Sequence, residues 1–297
     1  MSELFRRLGP VIGCCVLGIS VFWVVVLVVL PQIMMVDMSL RPNLPPSLRG
    51  GPDDTYTLAN YLTIWNNQVH RSIFIKTIWS ALLVTALSLA VCYPIAYYLA
   101  QAARARMVPL LVLGLIIPFW VNEILRTYSW FLILSRNGLL NQLLMFLGVT
   151  DSAVNFGGLG AVMIGMVYAY ILFMVFPLYN SMESLDRNQI EAARDLGASW
   201  PRIHWRLVIP HAKPGIAVGC IMTFMLAAGT VAVPQIMQSL PGGTGARWFT
   251  QVIYSWFFDG GDWNTGAAYA FALLLLCVLF IIAMMHLFKV GLKDIAR

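Results

Sequence analysis

Glu123 is an acidic residue inside an apolar run that is long enough to cross a bilayer. The run extends from about Met107 to Leu125, so Glu123 lies about 16 residues into it, roughly 24 Å along a helix and near its external end. Arg126 follows on the same helical face. Two interpretations stay open: Glu123 receives a cationic solute, or it pairs only with Arg126 at the edge of the membrane.

Aromatic and polar side chains in the neighbouring runs could help to bind a cation. Aromatic rings attract ammonium groups to their faces, although such rings more often pack against other side chains or mark the membrane interface. Tyr170, Thr230 and Gln235 are possible contributors. The residues that we assign to a candidate solute pathway are Trp120, Asn122, Glu123, Tyr128, Tyr168 and Thr223.

A second segment is charged and helix-forming, yet it lies between two apolar runs. It reads Glu191-Ala192-Ala193-Arg194-Asp195-Leu196-Gly197 and is followed by Leu207-Val208-Ile209-Pro210. Asp186, three residues before Gln189, predicts a capping box at the start of a helix over Arg187 to Leu196. Gly197 is placed to end this helix in the left-handed conformation.

A second short helix is predicted to follow this turn. Ser199 can cap it, Pro201 is tolerated in its first turn, and Pro210 is expected to end it. We therefore expect a helix-turn-helix parallel to the membrane. A helix of about ten residues is marginal alone in water, so it must pack either on its own chain or on a soluble partner.

The composition requires lipid around the chain. Of the 297 residues, 60% are hydrophobic and 11% are charged, with a mean hydropathy of +0.78, whereas a soluble domain carries about 25% charged residues. The formal net charge is +6, but the basic residues are spread between apolar runs, which argues against nucleic acid as a partner. The cysteines lie inside apolar runs without zinc-site spacing, so we expect no disulfide and no metal.

Motifs for catalysis and for nucleotide binding are absent from the sequence. It contains no G-x-x-x-x-G-K-[ST], H-E-x-x-H or G-x-S-x-G pattern, so the chain is expected to hydrolyse no ATP and to hold no catalytic residue or cofactor. We interpret Gly242-Gly243-Thr244-Gly245 as an external turn. The four histidines are scattered, and we expect them to be solvated or satisfied in the core.

Six apolar runs predict an all-α integral membrane protein, because a span needs about 20 mostly apolar residues. A further run, Trp130 to Leu147, is interrupted by polar residues and is predicted to be interfacial or re-entrant. Pro94, Pro118 and Pro234 are expected to kink their helices. A short surface helix is predicted at Asn60 to Trp65. The six runs are Val11 to Met35, Ile73 to Ala100, Met107 to Leu125, Leu159 to Tyr179, Gly215 to Met237 and Gly266 to Leu287.

The distribution of basic residues predicts that both termini are cytoplasmic. The expected organisation is a cytoplasmic N-terminus over 1–10, a single transmembrane domain over 11–290 with a cytoplasmic loop at 181–213, and a cytoplasmic C-terminus over 291–297. The residues that share the inner side are Arg6, Arg7, Arg104, Arg106, Arg187, Arg194, Arg202, Arg206, Lys213, Lys289, Lys293 and Arg297.

The charged segment resembles the signature of permease subunits of bacterial ABC importers. That signature has Glu-Ala-Ala, three residues, Gly, nine residues, and then an aliphatic-x-aliphatic-Pro. Leu207 and Ile209 stand where the family usually has Ile and Leu, a swap that keeps the packing volume. The residues that match in place are Glu191, Ala192, Ala193, Gly197 and Pro210.

The resemblance extends from about Asn60 to the end of the chain and is closest to permeases for polyamines such as spermidine and putrescine. Importers of iron, thiamine, opines and other organic solutes share parts of it. The segments that carry it are Tyr93 to Tyr97, Pro118 to Asn122, Leu125 to Tyr128, Gly138 to Asn141, Phe176 to Tyr179 and Asp262 to Ala268.

The resemblance implies a type I importer permease in the bacterial inner membrane and a set of partners. The coupling residues would be Glu191, Ala192, Ala193, Asp195, Gly197 and Pro210, docked on a cytoplasmic dimer of ATP-binding subunits that holds ATP and Mg²⁺. A second, non-identical permease chain would complete the path, and a periplasmic binding protein would deliver the solute. The alternatives are another solute, a channel, a secondary transporter or an intramembrane enzyme.

Overall fold

A computed structural model describes residues 9–45, 47–48, 50–240 and 247–291, which form helices, turns and loops without a strand. Two features discussed above fall elsewhere. The turn predicted at Gly242 to Gly245 lies outside the described residues, and so do most of the two terminal segments. Among the basic residues predicted to be cytoplasmic, Arg6, Arg7, Lys293 and Arg297 also lie outside the described residues.

The described helices are joined by turns and by loops of differing length. Three stretches have the wider π-helical turn, at Val25–Val29, Tyr98–Ala102 and His204–Val208. The α-helices are α1 (Pro10–Val24), α2 (Leu30–Ser39), α3 (Ala59–Asn66), α4 (Gln68–Tyr97), α5 (Val108–Ile116), α6 (Glu123–Leu134), α7 (Leu139–Phe146), α8 (Leu159–Glu183), α9 (Arg187–Asp195), α10 (Trp200–Ile203), α11 (Ile209–Gly229), α12 (Ala232–Met237), α13 (Phe249–Phe258) and α14 (Trp263–Phe288).

Within the described residues, the helices confirm an all-α membrane protein with about six spans. Five are long and apolar enough to cross a bilayer, and the pair Val108–Trp120 and Glu123–Phe146, bent by 94°, makes a sixth if it is counted as one span. The short helix predicted from Asn60 is also confirmed, as α3. The five unbroken candidates are Val11–Ser39, Gln68–Ala102, Leu159–Glu183, Trp200–Gly229 and Trp263–Phe288.

The third predicted span, over Met107 to Leu125, is broken into two helices and not merely kinked at Pro118. A short 3₁₀ stretch, Ile117–Trp120, follows α5, and Val121 is extended. Pro118 has no N–H for the helical ladder, and the side chain of Asn122 accepts a hydrogen bond from the backbone N–H of Ile124 at 2.8 Å, which starts a new helix. Glu123 is therefore the first residue of α6. Its depth in the membrane cannot be estimated by counting residues along a single helix from Met107.

The interruption predicted in the run Trp130 to Leu147 is present. α6 ends at Leu134 and α7 begins at Leu139. Asn141 is fully buried and joins the two sides of the break: its amide donates to the carbonyl oxygens of Ser135 (3.1 Å) and Val154 (3.0 Å) and accepts from the Val154 N–H (2.9 Å). Whether the segment is re-entrant or interfacial stays a prediction.

The chain divides into two compact units. One consists of Met1–Gln68 with Ile253–Ala272, and the other of Val69–Val252 with Leu273–Arg297. In the first unit, Arg41 pairs with Asp37 (2.9 Å) and Asp54 (3.1 Å), whose carboxylates raise its pKa. The side-chain amide of Asn264 donates to the backbone carbonyl oxygen of Arg41 at 3.0 Å, which ties the loop after α2 to the start of α14.

The core of the second unit is built where α8 and α11 cross. Glycines let the backbones approach: a Cβ atom at Gly215 would lie 2.6 Å from the Cβ of Ser181 and closer still to the carbonyl oxygen of Pro177. At Gly219 the nearest atom would be the sulfur of Met174, at 2.8 Å. Small residues at helix contacts are typical of membrane-embedded bundles, where close packing replaces the hydrophobic effect as the driving force.

Candidate functional site

The charged segment folds as the predicted helix and glycine turn. α9 runs over Arg187–Asp195, and Gly197 has a φ of 77°, the left-handed conformation that glycine favours. The predicted capping box is wrong in detail, because the Asp186 carboxylate accepts from the N–H of Asn188 (3.0 Å) instead of that of Gln189. The cap satisfies one of the free N–H groups at the start of the helix.

The expectation that Pro210 ends the second helix is wrong. α10 continues through the π-helical stretch His204–Val208 into α11, which ends only at Gly229, so the fifth span begins well before Gly215. The wider π turn gives the ring of Pro210 room where a regular turn would place a carbonyl against it. Ser199 occupies the N-cap position, but its side chain makes no capping hydrogen bond.

One face of the segment packs on its own chain. Ile190 and Ile203 are buried in a cluster with Leu99, in the stretch after α4, and with Met182, at the end of α8. Arg187 donates to the carbonyl oxygen of Ala100 at 3.2 Å. These contacts hold the helix-turn-helix against the ends of the spans.

The other face is open. Leu196 is 88% exposed, Trp205 is 73% exposed and Trp200 is 57% exposed, and apolar side chains of this size in a polar segment indicate an interaction surface. Ala193 is half-buried against the chain's own core, unlike the other predicted coupling residues. The exposed ones are Glu191, Ala192, Asp195, Gly197 and Pro210.

Glu123 contacts a residue of another span instead of pairing with Arg126. The hydroxyl of Tyr170 in α8 donates to Oε1 of Glu123 at 3.3 Å. Arg126 places its guanidinium carbon 4.1 Å from the ring centroid of Phe119, and its Nε and Nη1 atoms are buried without a hydrogen-bond partner. Within the described part of the chain no ion pair joins Glu123 to Arg126, so the carboxylate is held by a neutral hydroxyl.

The structure places the other pathway candidates in different surroundings. Trp120 is 86% exposed, and Asn122 caps α6. Tyr168 is half-buried with its ring 5.4 Å from that of Trp130. Tyr128 lines a cavity of about 440 Å³ together with Gln235. Thr223 is fully buried in α11, and its hydroxyl has no hydrogen-bond partner, so it does not line that cavity.

Comparison with known proteins identifies the family. The binding-protein-dependent transport system inner membrane component family matches residues 95–289. The chain belongs to this family. It is 35% identical over 261 residues to the spermidine/putrescine transport system permease protein PotB of Escherichia coli (strain K12), which covers 88% of this chain and 92% of that protein. The PotB protein of Salmonella typhimurium (strain SL1344) is also 35% identical and covers 88% of each chain.

Solved structures agree on the fold. A chain of a bacterial ABC transporter involved in the import of the acidic polysaccharide alginate superposes with a TM-score of 0.67 at 14% identity, covering 93% of this permease and 94% of that chain. This similarity confirms the type I importer architecture. Family membership makes the chain a multi-pass transport subunit of the inner membrane, and it favours the importer prediction over the channel, secondary-transporter and intramembrane-enzyme alternatives.

A groove of about 800 Å³ in the permease was missed from the sequence. It lies between α8 and α11 and is lined by Phe119 at its apolar end and by Ser184 and His211 at its polar end. Ser184 Oγ is 2.9 Å from His211 Nε2. One wall of the groove could have been recognised from the sequence, because Asn180 and Ser184 are four residues apart on one helical face. The partner face on α11 could not be identified without the crossing of the two helices.

Proposed function

We propose that this permease forms half of the translocation path of an ATP-driven importer for a polyamine, such as spermidine or putrescine, or for a similar small organic cation. The observation that carries the proposal is the 35% identity over 88% of the chain to permeases named for spermidine and putrescine. Glu123 supports it independently, because a carboxylate beside a tyrosine hydroxyl can bind an ammonium group.

The segment around Gly197 is proposed as the dock for a cytoplasmic dimer of ATP-binding subunits, which would hold ATP and Mg²⁺. This chain itself would bind no cofactor. The division of the segment into a buried face with Ile190 and an exposed face with Glu191 and Leu196 supports a dock that transmits movement. The dock requires a cytoplasmic loop and, with it, cytoplasmic termini.

Two further partners complete the proposed importer. A second permease chain, similar but not identical, would form the other half of the path, and a periplasmic binding protein would deliver the solute. Lipid would cover both chains. In this chain, only 6% of the most apolar window of Val11–Ser39 is buried against described residues. Movement of the docked segment would then open the path alternately outward and inward, as rigid-body motion of spans does in transporters.

Reconstitution tests the function. The permease is placed in proteoliposomes with its second permease and ATP-binding subunits, the binding protein is added, and uptake of radiolabelled spermidine is measured with and without ATP. We expect uptake only with ATP and the binding protein, and competition by unlabelled putrescine. Uptake driven by an ion gradient without ATP would contradict the importer assignment, and ATP-driven uptake of a different solute would contradict only the polyamine assignment.

Replacing Glu123 with glutamine is expected to lower kcat/KM for spermidine by about 10- to 100-fold, which corresponds to the loss of one charge-assisted hydrogen bond. The glutamine keeps the shape of the side chain and a hydrogen bond from Tyr170, so the fold should be retained. Initial uptake rates at a series of spermidine concentrations provide the measurement.

The matched control is Asp151→Asn, the same chemical change at an exposed acid outside the spans. It should leave the kinetics unchanged. Equal kinetics for Glu123→Gln and the unaltered protein would remove Glu123 from the pathway and leave it as a structural partner of Tyr170.

A further inference from the structure

His204 occupies an aromatic enclosure at the junction between the docking segment and the spans. Its Nδ1 atom lies 2.6 Å from the hydroxyl oxygen of Tyr93, within hydrogen-bond distance. Its ring centroid is 3.8 Å from that of Trp200 and 4.5 Å from that of Tyr97. The side chain is only 6% exposed. One imidazole thus contacts α4 through two tyrosines and α10 through a tryptophan.

The enclosure lies beside two π-helical stretches. Tyr98–Ala102 directly follows Tyr97, and His204–Val208 begins at the histidine itself. Leu99, Ala100, Ile203 and Val208 share one buried cluster, so the two stretches lie in the same part of the core. A π turn has poorer hydrogen-bond geometry than an α turn and is frequent at functional sites.

These π stretches are places where movement could be absorbed. A force applied to α9 and α10 would reach α11 along the chain through His204–Val208. It would reach α4 through Tyr98–Ala102, the stretch that follows the C-terminal end of α4. His204 directly follows α10, and its hydrogen bond with Tyr93 reaches α4 on the far side of Tyr98–Ala102. It therefore provides a direct connection from the end of α10 to α4 that bypasses Tyr98–Ala102.

We propose that His204 and Tyr93 are positioning residues that transmit movement of the docked segment to α4, so that ATP hydrolysis stays coupled to solute uptake. This proposal rests on the proposed function of the chain as an importer permease. Neither residue is among the exposed residues of the docking segment or the candidate pathway residues. Their effect is expected in the efficiency of coupling: without the connection, the ATP-binding subunits dock and hydrolyse ATP, but α4 follows their movement incompletely.

The test measures ATP hydrolysed per spermidine taken up by the reconstituted complex. Tyr93→Phe and His204→Phe remove the hydrogen bond and keep an aromatic ring, and each is expected to raise the ratio about three- to tenfold, the change that corresponds to one lost hydrogen bond. His204→Asn places an amide atom near the position of Nδ1 and should restore a ratio near that of the unaltered protein. Tyr98→Phe is the matched control, because Tyr98 is 54% exposed.

A second measurement does not depend on transport. Spin labels on Val91→Cys in α4 and Arg194→Cys in α9, both exposed positions, report the distance between the two helices after Cys14 and Cys15 are changed to alanine. In the purified complex, His204→Phe should broaden the distance distribution, and His204→Asn should not.

The outcomes separate this inference from the proposed function. A raised ratio with Tyr93→Phe and His204→Phe, but not with Tyr98→Phe, supports the connection. An unchanged ratio overturns it. If the unaltered complex shows no ATP-driven uptake at all, the proposed function fails, and the spin-label distances still decide the inference: a distribution for His204→Phe identical to that of the unaltered chain overturns the connection.

Discussion

Changing Gly197 to aspartate is expected to reduce ATP-driven uptake by about 100-fold or more, because an unpaired charge buried in a docked interface costs several kcal/mol. The permease itself should still fold. A Cβ atom at Gly197 would have no atom within 4 Å, so the only cost within the chain is the left-handed backbone, about 1–2 kcal/mol. The loss is therefore expected in the partner interface and not in the spans.

Three variants at this position separate backbone conformation from charge. Gly197→Asn tolerates the left-handed conformation and adds an uncharged side chain, Gly197→Ala adds only a methyl group, and Gly197→Asp adds the charge. Uptake and co-purification of the ATP-binding subunits should fall most with aspartate. Thermal unfolding of the purified permease should differ little among the three. Full uptake by Gly197→Asp would show that this segment is not the dock.

Local interactions explain why the helix and turn of the docking segment could be predicted from the sequence. The Asp186 cap involves a residue two positions along the chain, and Gly197 needs only its own backbone freedom. Both are short-range features with well-known residue preferences. The prediction failed where the same residues allowed a second arrangement, since the Asp186 carboxylate could reach the N–H of Asn188 as well as that of Gln189.

The errors at prolines have a tertiary cause. Pro210 was expected to end a helix and does not, because the preceding turn is π-helical. Pro118 was expected to kink a helix. The chain does bend there, by 94°, but the helix also stops, and a new one starts at Glu123. A proline removes one hydrogen bond in both cases, and the surrounding packing determines whether the helix bends, widens or stops. A single sequence carries no record of that packing.

The candidate solute site was predicted residue by residue but not as an arrangement. Glu123 and Tyr170 were both candidates, yet they are 47 positions apart, and only the packing of α6 on α8 brings them together. The groove between α8 and α11 depends in the same way on one helix crossing. Polar residues at the ends of apolar runs, such as Ser184 and His211, look like ordinary interfacial residues until the opposite wall is known.

Changing Gly215 to alanine is expected to have the largest effect on stability, with a loss of about 3 kcal/mol or more, because overpacking a close helix contact forces backbone shifts. The added methyl group would overlap the Pro177 carbonyl oxygen and lie 2.6 Å from Ser181 Cβ, and a carbonyl within a helix cannot move aside cheaply. The thermal unfolding midpoint of the purified permease and its yield as a monodisperse species provide the measurement. Valine at this position should prevent folding.

Two other glycines of the same helix pair serve as controls with graded expectations. Gly160→Ala in α8 meets nothing within 4 Å and should gain up to about 1 kcal/mol from helix propensity. At Gly219, the methyl group of alanine would first contact the flexible end of the Met174 side chain. The loss of stability of Gly219→Ala should therefore be intermediate. The loss of stability is expected to increase from Gly160→Ala through Gly219→Ala to Gly215→Ala. This order follows from the α8–α11 crossing. Equal stability of Gly215→Ala and Gly160→Ala would mean that this crossing, and with it the groove between the two helices, does not form.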